Sequence, residues 1–148
     1  MKAFKKMAAT IMALTMLASM STGAFATSFE NVPYFSEEDV IILSPETKEE
    51  QARRISEYTT RKFRANVWTT VAREYGLDQY EDIMINIENI NGASRVHVQV
   101  LKDGSVYVDR WMGLGSQYTF DVERGRDYSV RFLTQTDATV TYNIHTVS

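Results

Sequence analysis

The chain has 148 residues, a formal net charge of −3 and no cysteine. The lack of cysteine excludes disulfides, zinc–thiolate sites, thiol nucleophiles and a lipidated N-terminal cysteine. An acidic chain disfavours nucleic acid and anionic membranes as partners, because phosphate groups are bound by clustered lysine and arginine.

The first 26 residues have the layout of a secretory signal peptide. Three lysines within residues 1–6 precede an apolar stretch over residues 7–20, and Ala-Phe-Ala follows at 24–26. The apolar stretch is shorter than the roughly 20 residues of a membrane-spanning helix. We therefore expect cleavage after Ala26, a secreted product and no stable membrane insertion. Loss of the three lysines changes the net charge to −6.

The stretch after the leader predicts an extended segment and then a helix. Thr27–Leu43 has no clear hydrophobic period, which favours an extended N-terminal segment that docks on the domain. Ser44-Pro45-Glu46 is a helix start signal, since serine caps free N–H groups and proline suits the first turn. We expect a helix from Pro45 to about Thr60.

Arg61–Tyr75 is ambiguous between helix and strand. Apolar residues recur at every fourth position, which suits a continuing helix. The β-branched residues Thr69, Thr70 and Val71 instead favour a strand near Asn66–Val71, which is the preferred alternative. Gly76 ends the segment under either interpretation.

Residues 83–146 alternate between apolar and polar side chains, as expected for strands with one buried face. Short turn signals such as Asn91-Gly92, Asp103-Gly104 and Arg124-Gly125 separate the segments, so consecutive strands are expected to pair antiparallel. The alternating segments are Ile83–Ile90, Arg95–Leu101, Val106–Asp109, Tyr118–Val122, Tyr128–Leu133 and Thr139–His145.

An antiparallel sheet with one apolar face needs a second layer to cover it. The sequence therefore predicts a mainly β fold, an antiparallel β-sandwich of immunoglobulin-like or jelly-roll-like type, preceded by one N-terminal helix. Residues 44–148 are expected to form this single domain.

No catalytic or metal-binding pattern stands out in the sequence. The two histidines, His97 and His145, lie on the polar faces of their predicted strands, so both are expected to be exposed. No compact zinc-ligand spacing, Gly-x-Ser-x-Gly elbow or phosphate-binding glycine motif occurs. We predict neither enzymatic activity nor a cofactor.

Aromatic residues give the remaining indication of a site. Tyr107, Asp109 and Trp111 alternate with valines, so they share one strand face and are predicted to be ligand-binding residues. Alternatively the rings lie beneath the N-terminal helix with Trp111 in the core. Trp68 has the same two alternatives, and burial is favoured for both tryptophans because large aromatic residues are mostly buried.

These features favour a secreted, non-enzymatic binding module. Its expected partner is an extracellular protein or glycan, such as a cell-surface component or a polysaccharide. The alternative is a structural or assembly subunit in which Thr27–Leu43 adds a strand to a neighbouring molecule. A small secreted hydrolase or an inhibitor of one is a weaker alternative.

Overall fold

The computed structural model describes residues 31–147, and the predicted signal peptide at 1–26 lies outside them. This part of the chain is mainly β, with two sheets and one α-helix, α1 (Lys48–Ile55). The strands are β1 (Ile41–Leu43), β2 (Thr59–Phe63), β3 (Thr69–Glu74), β4 (Asp82–Asn91), β5 (Arg95–Lys102), β6 (Ser105–Gly113), β7 (Gln117–Asp121), β8 (Tyr128–Leu133) and β9 (Ala138–Val147).

The strands divide into a five-stranded and a four-stranded sheet. The first has the order β1-β3-β8-β5-β6, and the second has the order β2-β9-β4-β7. The ladders between these strands are antiparallel, apart from the parallel pair of β1 and β3. The edge strands are therefore β1 and β6 in one sheet and β2 and β7 in the other.

The expectation that consecutive strands pair is wrong for most of the chain. Within residues 31–147, β5 and β6 are the one consecutive pair that lie side by side, joined by Asp103 and Gly104 at φ 52° and 84°. The other connections cross between the sheets. At the β4–β5 crossing, a Cβ on Gly92 would lie 2.8 Å from the carbonyl oxygen of Asp137, so this turn requires glycine. The two-residue period identifies strands but not their partners.

Both sheets contribute to one hydrophobic core. Phe63 of β2, Phe132 of β8 and Tyr142 of β9 meet at its centre, with ring centroids of Phe132 and Tyr142 5.1 Å apart. Two sheets that share a core fit a β-sandwich. The alternating residues predicted to face inward supply most of it: Ile83, Ile85, Ile87, Val96, Val98, Val100, Phe120, Val122, Tyr128, Val130, Val140 and Ile144.

The helix differs from its prediction in position and length. It follows β1 instead of opening the domain, and it covers Lys48–Ile55 instead of Pro45 to about Thr60. Its N-terminus is fixed by a capping box in which Thr47 accepts from the N–H of Glu50 and the Glu50 side chain accepts from Thr47. It ends early because Thr59 and Thr60 pair with β9. No helix within residues 31–147 is long and apolar enough to cross a membrane.

Polar contacts attach α1 to β9. No side chain of α1 is buried. The buried side chain of Asn143 donates to the carbonyl oxygen of Arg54 in the last turn of the helix and to that of Glu57 just past it. Gln51 donates to the carbonyl oxygen of Thr146 at 3.0 Å. The two bonds from Asn143 add a side-chain donor to carbonyl groups at the C-terminal end of the helix.

The strand interpretation of Arg61–Tyr75 is correct, but two strands share this region. The end of β2 and the whole of β3 are separated by Asn66, which has a φ of 59°. Asparagine tolerates this left-handed conformation, which neither a helix nor a strand contains.

The stretch before α1 covers one edge of each sheet. Phe35 donates to the carbonyl oxygen of Lys62 at 2.9 Å, and Lys62 donates to that of Pro33 at 2.9 Å, so residues 33–35 pair with β2. A few residues later, β1 pairs with β3. The edges of β2 and β3 are therefore occupied within the chain.

Candidate functional site

The structure brings together two of the three predicted ligand-binding residues. Asp109 and Trp111 lie on the outer face of the five-stranded sheet, opposite Gln99 and His97 of β5. Tyr107 does not share this face, because the pairing shifts by one residue at Val106–Val108 and leaves Tyr107 as the extra residue of a β-bulge.

The bulge turns Tyr107 to the inner side of the sheet, where the residue stays 44% exposed. Its ring lies 6.0 Å from that of the buried Tyr128 and 6.5 Å from that of the buried Phe120. The ammonium group of Lys102 is 5.0 Å from the Tyr107 ring. The prediction that Tyr107 shares a face with Asp109 and Trp111 is therefore wrong.

A row of aromatic and guanidinium groups crosses the outer face of the five-stranded sheet. The Trp111 ring stacks on His97, with centroids 4.3 Å apart and planes 22° apart, and the Arg95 guanidinium lies 4.3 Å from the same indole. On the other side, the His97 ring is 4.9 Å from that of Trp68, and the Arg131 guanidinium is 4.5 Å from Trp68. Stacking and cation–π attraction both favour this order.

Hydrogen bonds link the same groups closer to the sheet. Gln99, which is buried, accepts from Arg131 Nε at 2.9 Å and Nη2 at 2.5 Å and donates to Asp109 at 3.2 Å. His97 Nε2 donates to the other oxygen of Asp109, and this bond holds the pKa of Asp109 below its usual value. We call the whole assembly the platform; its members are Trp68, Arg95, His97, Gln99, Asp109, Trp111 and Arg131.

Alternation and strand order together explain the position of these side chains. Arg95, His97 and Gln99 alternate with buried valines on β5, so they project from the outer face. Arg131 of β8 lies directly opposite Gln99 on one side, and Asp109 of β6 lies opposite it on the other. The polar face of β5 was therefore readable from the sequence, whereas its neighbours depend on the strand order.

Burial in the core, the alternative favoured for both tryptophans, is wrong. Trp68 and Trp111 are half-buried, and their rings lie on the outer sheet face instead of in the core. Trp111 is not beneath the helix either, since α1 contacts β9 of the other sheet. Trp68 immediately precedes β3 and reaches His97 of β5, a contact that no local sequence pattern indicates.

The two histidines have different environments. His97 is part of the platform and its side chain is 19% exposed. His145 was predicted to be exposed, but it is buried on β9, where Nδ1 contacts the side-chain oxygen of Asn143. Burial lowers the pKa of His145. Among residues 31–147, no three His, Cys, Asp or Glu side chains come together in a way that could hold a metal ion.

The chain matches no protein-family model, and no curated protein matches it. A function can therefore be argued from the chemistry of its own residues alone. The platform is the strongest basis for that argument, because it combines aromatic, cationic and hydrogen-bonding groups on one partly exposed surface.

Proposed function

We propose that this protein is a secreted, non-enzymatic binding module whose ligand docks on the platform. The observation that carries the proposal is the continuous row from Arg95 through Trp111, His97 and Trp68 to Arg131. Tryptophan and arginine are the residue types that contribute most binding energy at interfaces. The layout of residues 1–26 supports secretion.

The contacts of the platform favour a protein ligand over a glycan. A sugar ring stacks on an open aromatic face, but each indole of the platform already contacts a histidine ring and a guanidinium. The hydrogen bonds of Gln99 hold Arg131 and Asp109 in place before a ligand arrives. Side chains that are already ordered lose less conformational entropy on binding, which strengthens association.

The strand order supports a jelly-roll-like sandwich. The eight strands β2–β9 form two sets of four, β3-β8-β5-β6 and β2-β9-β4-β7, and β1 adds to the edge of the first set. Such crossing between two sheets at nearly every connection is typical of a jelly roll, a fold that also serves in lectins and capsids. The fold alone sets no function, so the proposal depends on the platform.

The alternative of an assembly subunit has less support. It required Thr27–Leu43 to add a strand to a neighbouring molecule. Within that segment, residues 33–35 and β1 already pair with β2 and β3 of the same chain. A second molecule would have to displace these pairs.

Retention assays with matched variants test the proposed site. The protein, expressed from its full sequence and immobilised, is offered a panel of polysaccharides and a panel of extracellular proteins. We expect Trp111→Ala and Trp68→Ala to weaken retention of a bound ligand about tenfold or more, as for interface tryptophans. Tyr80→Ala is the control, because Tyr80 is 78% exposed and lies outside the platform.

Two results would contradict the proposal. The first is equal retention of a ligand by the tryptophan variants and the Tyr80 control. The second is loss of retention by all three variants alike, which would indicate a general loss of structure. Retention confined to the polysaccharide panel would assign the platform to a glycan.

A further inference from the structure

We propose that the platform's ligand is an extended peptide segment of another protein, which adds to β6 as a sixth, antiparallel strand of the five-stranded sheet. This inference rests on the proposed function and specifies the ligand class and the mode of docking. Strand addition combines main-chain hydrogen bonds, which provide affinity, with alternate side-chain contacts, which provide specificity.

The edge of β6 is open, whereas the edge of β2 is occupied and the opposite edge of the five-stranded sheet is the three-residue strand β1. Residues 33–35 pair with β2, and β1 covers β3. Strand β6 pairs with β5 alone, and no backbone hydrogen bond described for residues 31–147 joins residues 105–112 to any other segment. With nine residues, β6 is longer than the five-residue edge strand β7. An open edge of this length is a template for a further strand.

The bulge defines which part of β6 is suited to pairing. From Val108 to Gly113 the strand runs in unbroken register with Val100 to Arg95 of β5. The pairing shifts only at Val106–Val108, where it interrupts the ladder. The regular stretch Val108–Gly113 is also the part that carries Asp109 and Trp111 of the platform.

The charges of β6 disfavour a second copy of the chain as the added strand. A symmetric antiparallel pair centred on Asp109 would place this carboxylate directly opposite its own copy. A pair centred on Arg110 would do the same with two guanidinium groups, and like charges directly opposite destabilise a sheet. A pair centred on Val108 would place the bulge inside the new ladder. A pair centred on Trp111 avoids these three problems but spans only Asp109–Gly113, whereas a different peptide can pair with the whole regular stretch Val108–Gly113 and meets none of them.

The same residues specify the peptide's side chains. Asp109 and Trp111 lie on the platform face, and Arg110 lies on the other face, where its guanidinium is 4.2 Å from the Tyr118 ring. Favourable cross-strand pairs place a basic residue opposite Asp109, an acidic residue opposite Arg110, and an aromatic or β-branched residue opposite Trp111. Read along an antiparallel peptide, the order is aromatic, acidic, basic.

A capped hexapeptide, Thr-Val-Tyr-Glu-Lys-Val, matches Gly113 back to Val108 and serves as the probe. Its binding to the protein expressed from its full sequence is measured by calorimetric titration. Two further peptides are N-methylated at the first, third and fifth residues or at the second, fourth and sixth. Successive N–H groups of a strand point to opposite sides, so only one methylated set would face β6.

We expect the unmodified peptide to bind, one methylated peptide to bind at least about tenfold more weakly, and the other to bind nearly as well as the parent. Asp109→Lys is expected to weaken binding of the parent and to restore binding of a peptide with glutamate in place of lysine. Thr119→Lys, on the edge strand β7 of the other sheet, is the control and should leave binding unchanged.

Absence of binding by the parent peptide overturns the inference, as does an equal effect of both methylation patterns. These failures differ from failure of the proposed function. If Trp111→Ala still abolishes retention of a polysaccharide or a folded protein, the platform remains the binding surface and only strand addition is wrong. If neither the peptide nor any retained ligand depends on Trp111, both proposals fail.

Discussion

Gln99 holds the platform together, so its replacement by methionine should destabilise the protein measurably. The substitution keeps the side-chain length and volume close to those of glutamine but removes both polar atoms. Arg131 then loses two hydrogen bonds, at 2.9 and 2.5 Å, and Asp109 loses one at 3.2 Å. A hydrogen bond to a charged group contributes about 1.5–3 kcal/mol.

The expected loss is smaller than the sum of these bonds. Arg131 is only partly buried, so water replaces some of its lost contacts. We therefore expect the free energy of unfolding to fall by about 2 kcal/mol, which changes the equilibrium constant about 30-fold.

Urea unfolding provides the assay, followed by far-UV circular dichroism and by tryptophan emission. Both tryptophans of the chain belong to the platform, so the emission reports directly on this surface. The control is Gln117→Met on the edge strand β7, where the side chain is exposed and a change within about 0.5 kcal/mol is expected. A change at Gln99 no larger than that of the control, with native emission unaltered, would refute the reasoning.

Three further predictions concern buried polar groups. Asn143→Leu should lower the free energy of unfolding by about 2 kcal/mol in urea titrations, because the carbonyl groups of Arg54 and Glu57 lose their hydrogen bonds from Asn143. An unchanged midpoint would contradict this. Burial lowers the pKa of His145, so below about pH 6.5 the unfolded chain binds more protons than the folded chain. The free energy of unfolding should therefore fall as the pH falls, by at most about 1.4 kcal/mol per pH unit. His145→Gln should remove this dependence in thermal melts measured over a pH series. Burial raises the pKa of Glu74, so the native state binds more protons above pH 4.5 and stability rises as the pH falls toward that value. Glu74→Gln should therefore be more stable than the parent at pH 7, and a lower stability there would show that the carboxylate is needed in its charged form.

Much of the fold follows from alternation alone. The inward residues of β4, β5, β8 and β9 were predicted correctly because a buried sheet face imposes a strict two-residue period. The pairing of these strands was not predicted correctly, because the two-residue period is the same whichever strand lies alongside. The start of the helix was predicted too early, because the start signal at Ser44-Pro45-Glu46 is followed by a better capping box at Thr47 and Glu50.

The candidate site was predictable only in part. Asp109 and Trp111 were identified correctly as neighbours on one face, but Tyr107 was not separated from them. A bulge adds one residue to the strand, so the side chains beyond it lie on the face opposite to the one that simple alternation predicts. No feature of the sequence Val106-Tyr107-Val108 indicates the bulge. Trp68 joins the platform through a tertiary contact with His97, so no local pattern could have included it.

The attachment of α1 has a consequence for the motions of the protein. The helix places no side chain in the core and is held to β9 by a few hydrogen bonds, so it can lift away while the sheets stay closed. Its amide protons should then exchange with deuterium by local opening, well before those of β9 do. Proteolytic cleavage within Lys48–Ile55 would by the same reasoning leave a folded β body behind.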